Sequence, residues 1–178
     1  MTKKAKVYGS SLFDLASDEG LQDVILKDLQ LVCSALDEIP GYSKLLSSPA
    51  VPKSERKELL AQAWKETVNK YTLNFMCLLC DGEMLSQLPM CAEEYKARYN
   101  EANHILQVKA ITAIPLTDEA KERLAASILE RTGKKAEITV KVDEHLIGGM
   151  RLEMDGVSYD DSISYHMDAL RRMLQDNK

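Results

Sequence analysis

Residues 146–174, LIGGMRLEMDGVSYDDSISYHMDALRRML, decide the fold class of the chain. Gly148-Gly149 lets the backbone bend where side chains would clash. Met150, Leu152 and Met154 then alternate with Arg151, Glu153 and Asp155, the period of a half-buried strand. Asp155-Gly156 is a short hairpin signal, because the tight turn that matches strand twist wants positive φ. Val157 and Tyr159 alternate with Ser158 and Asp160 on the return strand. Asp160 or Asp161 then caps a helix whose apolar stripe is Ile163, Met167, Leu170 and Leu174. Arg171 and Arg172 stand near its carboxyl end, where the helix dipole favours cations. The stretch reads as a hairpin closed by an amphipathic helix, and nothing in it is equipped for chemistry.

Working backwards, Ala136, Ile138, Val140 and Val142 alternate strictly with Glu137, Thr139, Lys141 and Asp143, the best strand pattern in the chain. Before it, Thr117 caps a helix with Asp118 and Glu119 in its first turn, a stripe of Ala120, Leu124 and Ile128, and Gly133 at its close. An earlier strand starts near Ile105, with Leu106, Val108 and Ala110 on one face, and Pro115 ends it. Residues 105–178 therefore form a β-α-β-β-β-α module.

Residues 1–104 are helical throughout. The spacing predicts a helix from Lys3 to about Ser17 carrying Tyr8, Leu12 and Leu15, broken at Asp18-Glu19-Gly20. A second helix follows from about Leu21 to Ile39, with Ile25, Leu29, Val32, Leu36 and Ile39 on one face, ended by Pro40-Gly41. Tyr42, Leu45 and Leu46 suggest a turn or two of helix. Pro52 suits the first turn of the next, which uses Leu60, Ala63, Trp64 and Val68. The fifth segment, about Tyr71 to Gly82, is apolar nearly all round. The sixth, about Leu85 to Asn103, carries Leu85, Leu88, Ala92, Tyr95, Tyr99 and Ala102. The expected architecture is α+β: an N-terminal six-helix bundle, then the small module, with the boundary near residue 104.

With 178 residues, 45% apolar and 29% charged, the composition is that of a soluble globular chain of one domain or two small ones. A net charge of −5, spread evenly, gives no electrostatic reason to bind nucleic acid or an anionic bilayer. No apolar run approaches the roughly 20 residues that span a membrane. The basic start, MTKKAKVYGSSLFDLA, lacks the apolar core of a secretory signal and reads as part of the fold. Four cysteines without framework spacing suit a reducing compartment, with the cytoplasm as default.

Motifs for catalysis are missing. Cys77-Leu78-Leu79-Cys80 lies inside an apolar helical run, whereas a redox pair follows a strand and a zinc site needs further ligands. His104, His145 and His166 are scattered. Gly133-Lys134-Lys135 lacks the earlier glycine and following hydroxyl of a phosphate loop. Asp160-Asp161 is explained by capping. No cofactor or metal is implied. The informative anomaly is the fifth segment: Phe75, Met76 and Leu79 form an inward stripe, yet Cys77, Leu78 and Cys80 extend the apolar surface beyond it. Such a helix is either enclosed or half presented to a partner. The first helix, with small residues Gly9, Ser10 and Ser11 beside Tyr8 and Leu12, is the candidate for the other wall of a trough that fits an amphipathic helix.

VYGSSLFDLASDEG, LLSSPAVPKSERKELL, FMCLLCDGEMLSQLPMCAEEY and VDEHLIGGMRLEMDGVSYDDSI with the tail DALRRML together resemble the delta subunit of F-type ATP synthases, the family of the oligomycin sensitivity-conferring protein. The chain departs from that pattern at Gly9, usually alanine, at Glu83 and Ser164, usually basic, and at Asp161, commonly glycine. The resemblance implies a non-catalytic peripheral-stalk subunit, one copy in a hetero-oligomeric complex at the cytoplasmic face of the cell membrane, without insertion into the bilayer. It also implies that the helical domain binds N-terminal helices of the alpha subunits and the C-terminal domain binds b-type stalk helices. By position it offers Tyr8, Ser11, Leu12, Leu15, Asn74, Cys77 and Leu78 for alpha contact, and Met167, Leu170 and Leu174 for the stalk. The alternatives are a free-standing cytosolic adaptor for some other amphipathic helix, and a thiol oxidoreductase centred on Cys77 and Cys80.

Overall fold

The computed structural model describes residues 2–39, 41, 51–146, 148–154, 156–163, 165 and 167. The helical turns expected around Tyr42, Leu45 and Leu46 lie outside these residues, as do Asp155, Leu170 and Leu174. The fold is α+β, and the chain divides into two units, Met1–Tyr99 and Asn100–Lys178.

In the first unit α1 spans Lys3–Asp18 and α2 Gln22–Glu38. α3 spans Lys53–Trp64, directly after Pro52, and α4 spans Lys70–Asp81. A 3₁₀ turn, Leu85–Gln87, leads into α5, Leu88–Ala102. Thr2 caps α1 by accepting from the Ala5 N–H, and Asn69 caps α4 by accepting from that of Tyr71. The core joins Phe13, Ile25, Leu29, Val32, Leu60, Met76, Leu79, Leu88 and Tyr95. Tyr95 is its centre: fully buried, edge-on to Phe13 with ring centroids 5.5 Å apart, its hydroxyl donating to the Gln22 carbonyl at 3.0 Å.

Two details differ from the sequence reading. The inner face of α1 is Ala5, Gly9, Leu12, Phe13 and Ala16, with Leu15 left 41% exposed. The reason is the close crossing of α5, which small residues permit: a Cβ on Gly9 would stand 2.6 Å from the Cys91 carbonyl oxygen. Ile39, expected on the inner stripe of α2, lies just past its end and is exposed. At the end of α4 the left-handed position belongs to Glu83 (φ 55°), not Gly82. The Met84 N–H donates to the Leu79 carbonyl and the Glu83 N–H to that of Cys80, the paired closure of a Schellman turn.

The second unit is a four-stranded sheet with one described helix against it. β1 is Ile105–Thr112, α6 Asp118–Thr132, β2 Lys135–Val142, β3 Met150–Met154 and β4 Val157–Asp160. The strand order is β2-β1-β3-β4; β1 and β2 are parallel across the α6 crossover, and the other pairs are antiparallel. Leu106, Val108 and Ile128 form the core, with Leu124, Ala136, Ile138, Leu152 and Met154 around them. Thr117 caps α6, and Gly133 closes it. Met154 pairs with Val157, so the hairpin turn has the two residues the sequence predicts.

At the glycine bend, Gly149 has φ 81° and a Cβ there would stand 2.9 Å from the Ser162 Cα. The bend is packed against the residues just after β4, where the Asp161 and Ile163 N–H groups donate to the Met150 and Gly148 carbonyls. The helical turn after β4 is capped by Ser162, whose hydroxyl accepts from the Tyr165 N–H at 3.2 Å, and not by Asp160. Asp160 instead accepts from the Ser162 N–H and from Arg151 Nε at 2.9 Å. Those Ser162 bonds first, and then the guanidinium, hold its carboxyl below the ordinary range.

Candidate helix-binding groove

α1 and α4 stand side by side with an open trough of about 300 Å³ between them. Tyr8, Ser11, Leu12 and Leu15 line it from α1, and Tyr71, Asn74, Phe75 and Leu78 from α4. Each set repeats at i, i+3, i+4 and i+7, which places four side chains on one face of each helix. Leu12 and Phe75, 5% and 7% exposed, are the floor. Leu15 and Leu78, 41% and 50% exposed, are apolar lips that shed water only when something covers them. Ser11 and Asn74, with the hydroxyls of Tyr8 and Tyr71, are the polar groups of the two walls. The Tyr71 ring also carries the Lys70 ammonium 4.8 Å from its centroid, within cation–π range.

Six of the seven residues singled out for alpha contact therefore line one trough. Cys77 does not: it is half buried on another side of α4, beside Lys57 and Asp81, which pair at 2.6 Å. Cys80 also differs from expectation, being fully buried in the core. At 100° per residue a helix that turns Leu78 to the trough carries Cys80 some 200° away, into the bundle. Tyr71 and Phe75 complete the trough and were missed, although their spacing to Asn74 and Leu78 marks the same face. In the second unit, Met167 is half exposed, while Leu170 and Leu174 lie outside the described residues.

The thiols are poorly placed for redox chemistry. Burial raises Cys33 and Cys91 to about 11. Burial also raises Cys77, with Lys57 pulling the other way. All three are thus protonated near neutral pH, against an unperturbed value of about 8.5. Iodoacetamide at pH 7.5 is expected to label the folded chain slowly, Cys77 first, with the rate climbing as pH approaches 11. Mass spectrometry of timed samples reads this out, and rapid joint labelling of Cys77 and Cys80 would restore the oxidoreductase reading.

Fold and trough together define a class: an α+β protein of two units whose first unit presents an open, largely apolar trough. No described helix is long and apolar enough to cross a membrane. The sequence pattern of the ATP synthase delta (OSCP) subunit family matches residues 5–174. The delta subunit of Christiangramia forsetii ATP synthase is 27% identical over 99% of this chain and 95% of its own length. That of Synechocystis is 29% identical over 91% and 88%. A chain in the cryo-EM structure of the Toxoplasma gondii mitochondrial ATP synthase hexamer shares the fold, with a TM-score of 0.74, 21% identity and 98% of both chains covered. The chain belongs to the ATP synthase delta (OSCP) subunit family. It is a non-catalytic peripheral-stalk subunit, and ATP synthesis and proton transport are properties of the complex that it serves.

Proposed function

We propose that this chain clamps the catalytic head of the synthase to its stalk, with the α1–α4 trough gripping the N-terminal helix of an alpha subunit. Residues 1–104 form the head-binding domain, and residues 105–178 hold the b-type stalk helices through Met167, Leu170 and Leu174. One copy serves each complex, at the cytoplasmic face of the cell membrane. Rotor torque would otherwise drag the head round; holding it still converts rotation into the conformational changes that make ATP. The task asks for long-lived contacts and no chemistry. Buried apolar anchors and more than one attachment point supply those contacts.

The trough is the observation that carries this reading. Two walls of i, i+3, i+4, i+7 side chains with an apolar floor match the anchor spacing of an amphipathic helix laid between them. The test is a calorimetric titration of the full chain with a synthetic peptide of the first ~20 residues of the same organism's alpha subunit, a helix of roughly 30 Å. Saturable binding with a negative heat-capacity change is expected, because apolar area is buried. Absence of binding at high micromolar peptide would overturn the assignment.

A further inference from the structure

Asp28 is a charged side chain that the trough does not use. Such groups are almost never buried without partners, yet this one, in the middle of α2, is 8% exposed. Its Oδ2 accepts two hydrogen bonds, from the Asn69 N–H at 2.7 Å and from the hydroxyl of the fully buried Thr72 at 2.9 Å. Asn69 is the cap of α4 and Thr72 lies in its first turn. The carboxylate therefore sits on the amino terminus of α4, where free N–H groups and the helix dipole favour an anion.

The trough residues of α4 begin two positions after Asn69, at Tyr71. Against its neighbours a helix keeps two soft motions, rotation about its axis and sliding along it. Apolar packing of Met76 and Leu79 resists both only loosely, since the hydrophobic effect has no direction. Two hydrogen bonds to a single oxygen are directional, and bonds to a charged group are the stronger kind. We infer that Asp28 is the positioning residue of the trough: from α2 it fixes the rotation and register of α4, and hence the presentation of Tyr71, Asn74 and Leu78, without touching the docked helix.

The inference rests on the trough being the docking site, so the test has two readouts. Full-length Asp28→Ala, which removes both acceptor oxygens, is compared with Val32→Ala, a buried change elsewhere on α2 that makes no bond to α4. Amide hydrogen exchange across 69–75 is expected to quicken roughly 10-fold in Asp28→Ala beyond any global change, and affinity for the alpha-derived peptide to fall by a similar factor. Asp28→Asn, which keeps one acceptor oxygen, should recover most of both; Val32→Ala should move neither selectively. Equal, uniform effects in the two alanine variants would reduce Asp28 to a general support of the fold and overturn the inference. If Asp28→Ala does not fold, Thr72→Val removes one donor at nearly constant shape and carries the same comparison. A wild-type chain that ignores the peptide sinks the docking assignment, while the exchange data still decide whether Asp28 fixes α4.

Discussion

Leu78→Glu is expected to weaken binding of the alpha N-terminal helix about 100-fold while shifting the thermal midpoint by no more than about 3 °C. The two effects separate because Leu78 is a lip of the trough and not part of the core. It is 50% exposed in the free chain, so replacing it costs little there, and glutamate is a good helix former. A docked helix changes the balance. It would bury the new carboxylate against Leu12, Phe75 and its own apolar face; none of the described lining residues is a cation, and the Lys70 ammonium lies over Tyr71, about two helical turns from Leu78. Desolvating an unpaired charge costs several kcal/mol, and about 2.7 kcal/mol already corresponds to 100-fold. Leu31→Glu is the matched control, since Leu31 is 46% exposed on α2 and lies outside the trough. Calorimetric titration and a melting curve on each variant suffice. Wild-type affinity in Leu78→Glu would move the docking site off this channel.

Gly9→Leu is expected to destabilise the first unit by about 3 kcal/mol and to lower its melting midpoint by roughly 10–20 °C. Gly9 is where α1 crosses α5. A Cβ there would stand 2.6 Å from the Cys91 carbonyl oxygen and 2.8 Å from the Glu94 Cβ. The first of these is backbone, so relief requires α5 to shift and not merely a side chain to swing. Gly9→Ala sets this overpacking against the roughly 1 kcal/mol that alanine gains over glycine inside a helix. Its net effect should be smaller and still destabilising. Scanning calorimetry distinguishes the outcomes, and an unchanged midpoint in Gly9→Leu would mean that the crossing has room. The substitution also reaches the trough, because Tyr8 and Ser11 ride on the same turns of α1 as Gly9.

Much of the second unit was legible in one dimension. Strict alternation from Ala136 to Val142, the Thr117 cap, the closing Gly133 and the two-residue turn before Val157 are local signals with local causes, and each element stands where its pattern puts it. Helix ends were less legible. α4 ends at Gly82 as its pattern suggests, but the left-handed position that closes the turn falls to Glu83, which pairs with Lys53 at 3.2 Å. Ser162 caps the helical turn after β4, and not Asp160, because Asp160 is engaged by Arg151 across the hairpin. A side chain that has several nearby partners chooses among them in three dimensions.

The trough shows the same division. Its α1 wall and two of its α4 residues were singled out from the sequence, whereas Cys77 lies outside the trough and Cys80, expected to extend the apolar surface, is buried in the core. Periodicity gives the width of an apolar stripe but not where along that stripe the neighbouring helix ends and open surface begins.

By itself, then, the sequence determined which of the described segments are helix and which are strand, that helices precede the sheet, and that α4 carries more apolar surface than its own stripe needs. Those properties follow from backbone geometry and residue period, which neighbours in sequence settle among themselves. Only the tertiary structure decided that Leu15 and Leu78 are lips while Leu12 and Phe75 are floor, that Gly9 marks a helix crossing, and that a carboxylate on α2 holds the start of α4. Those are contacts between residues tens of positions apart, and burial is a property of the neighbour as much as of the side chain.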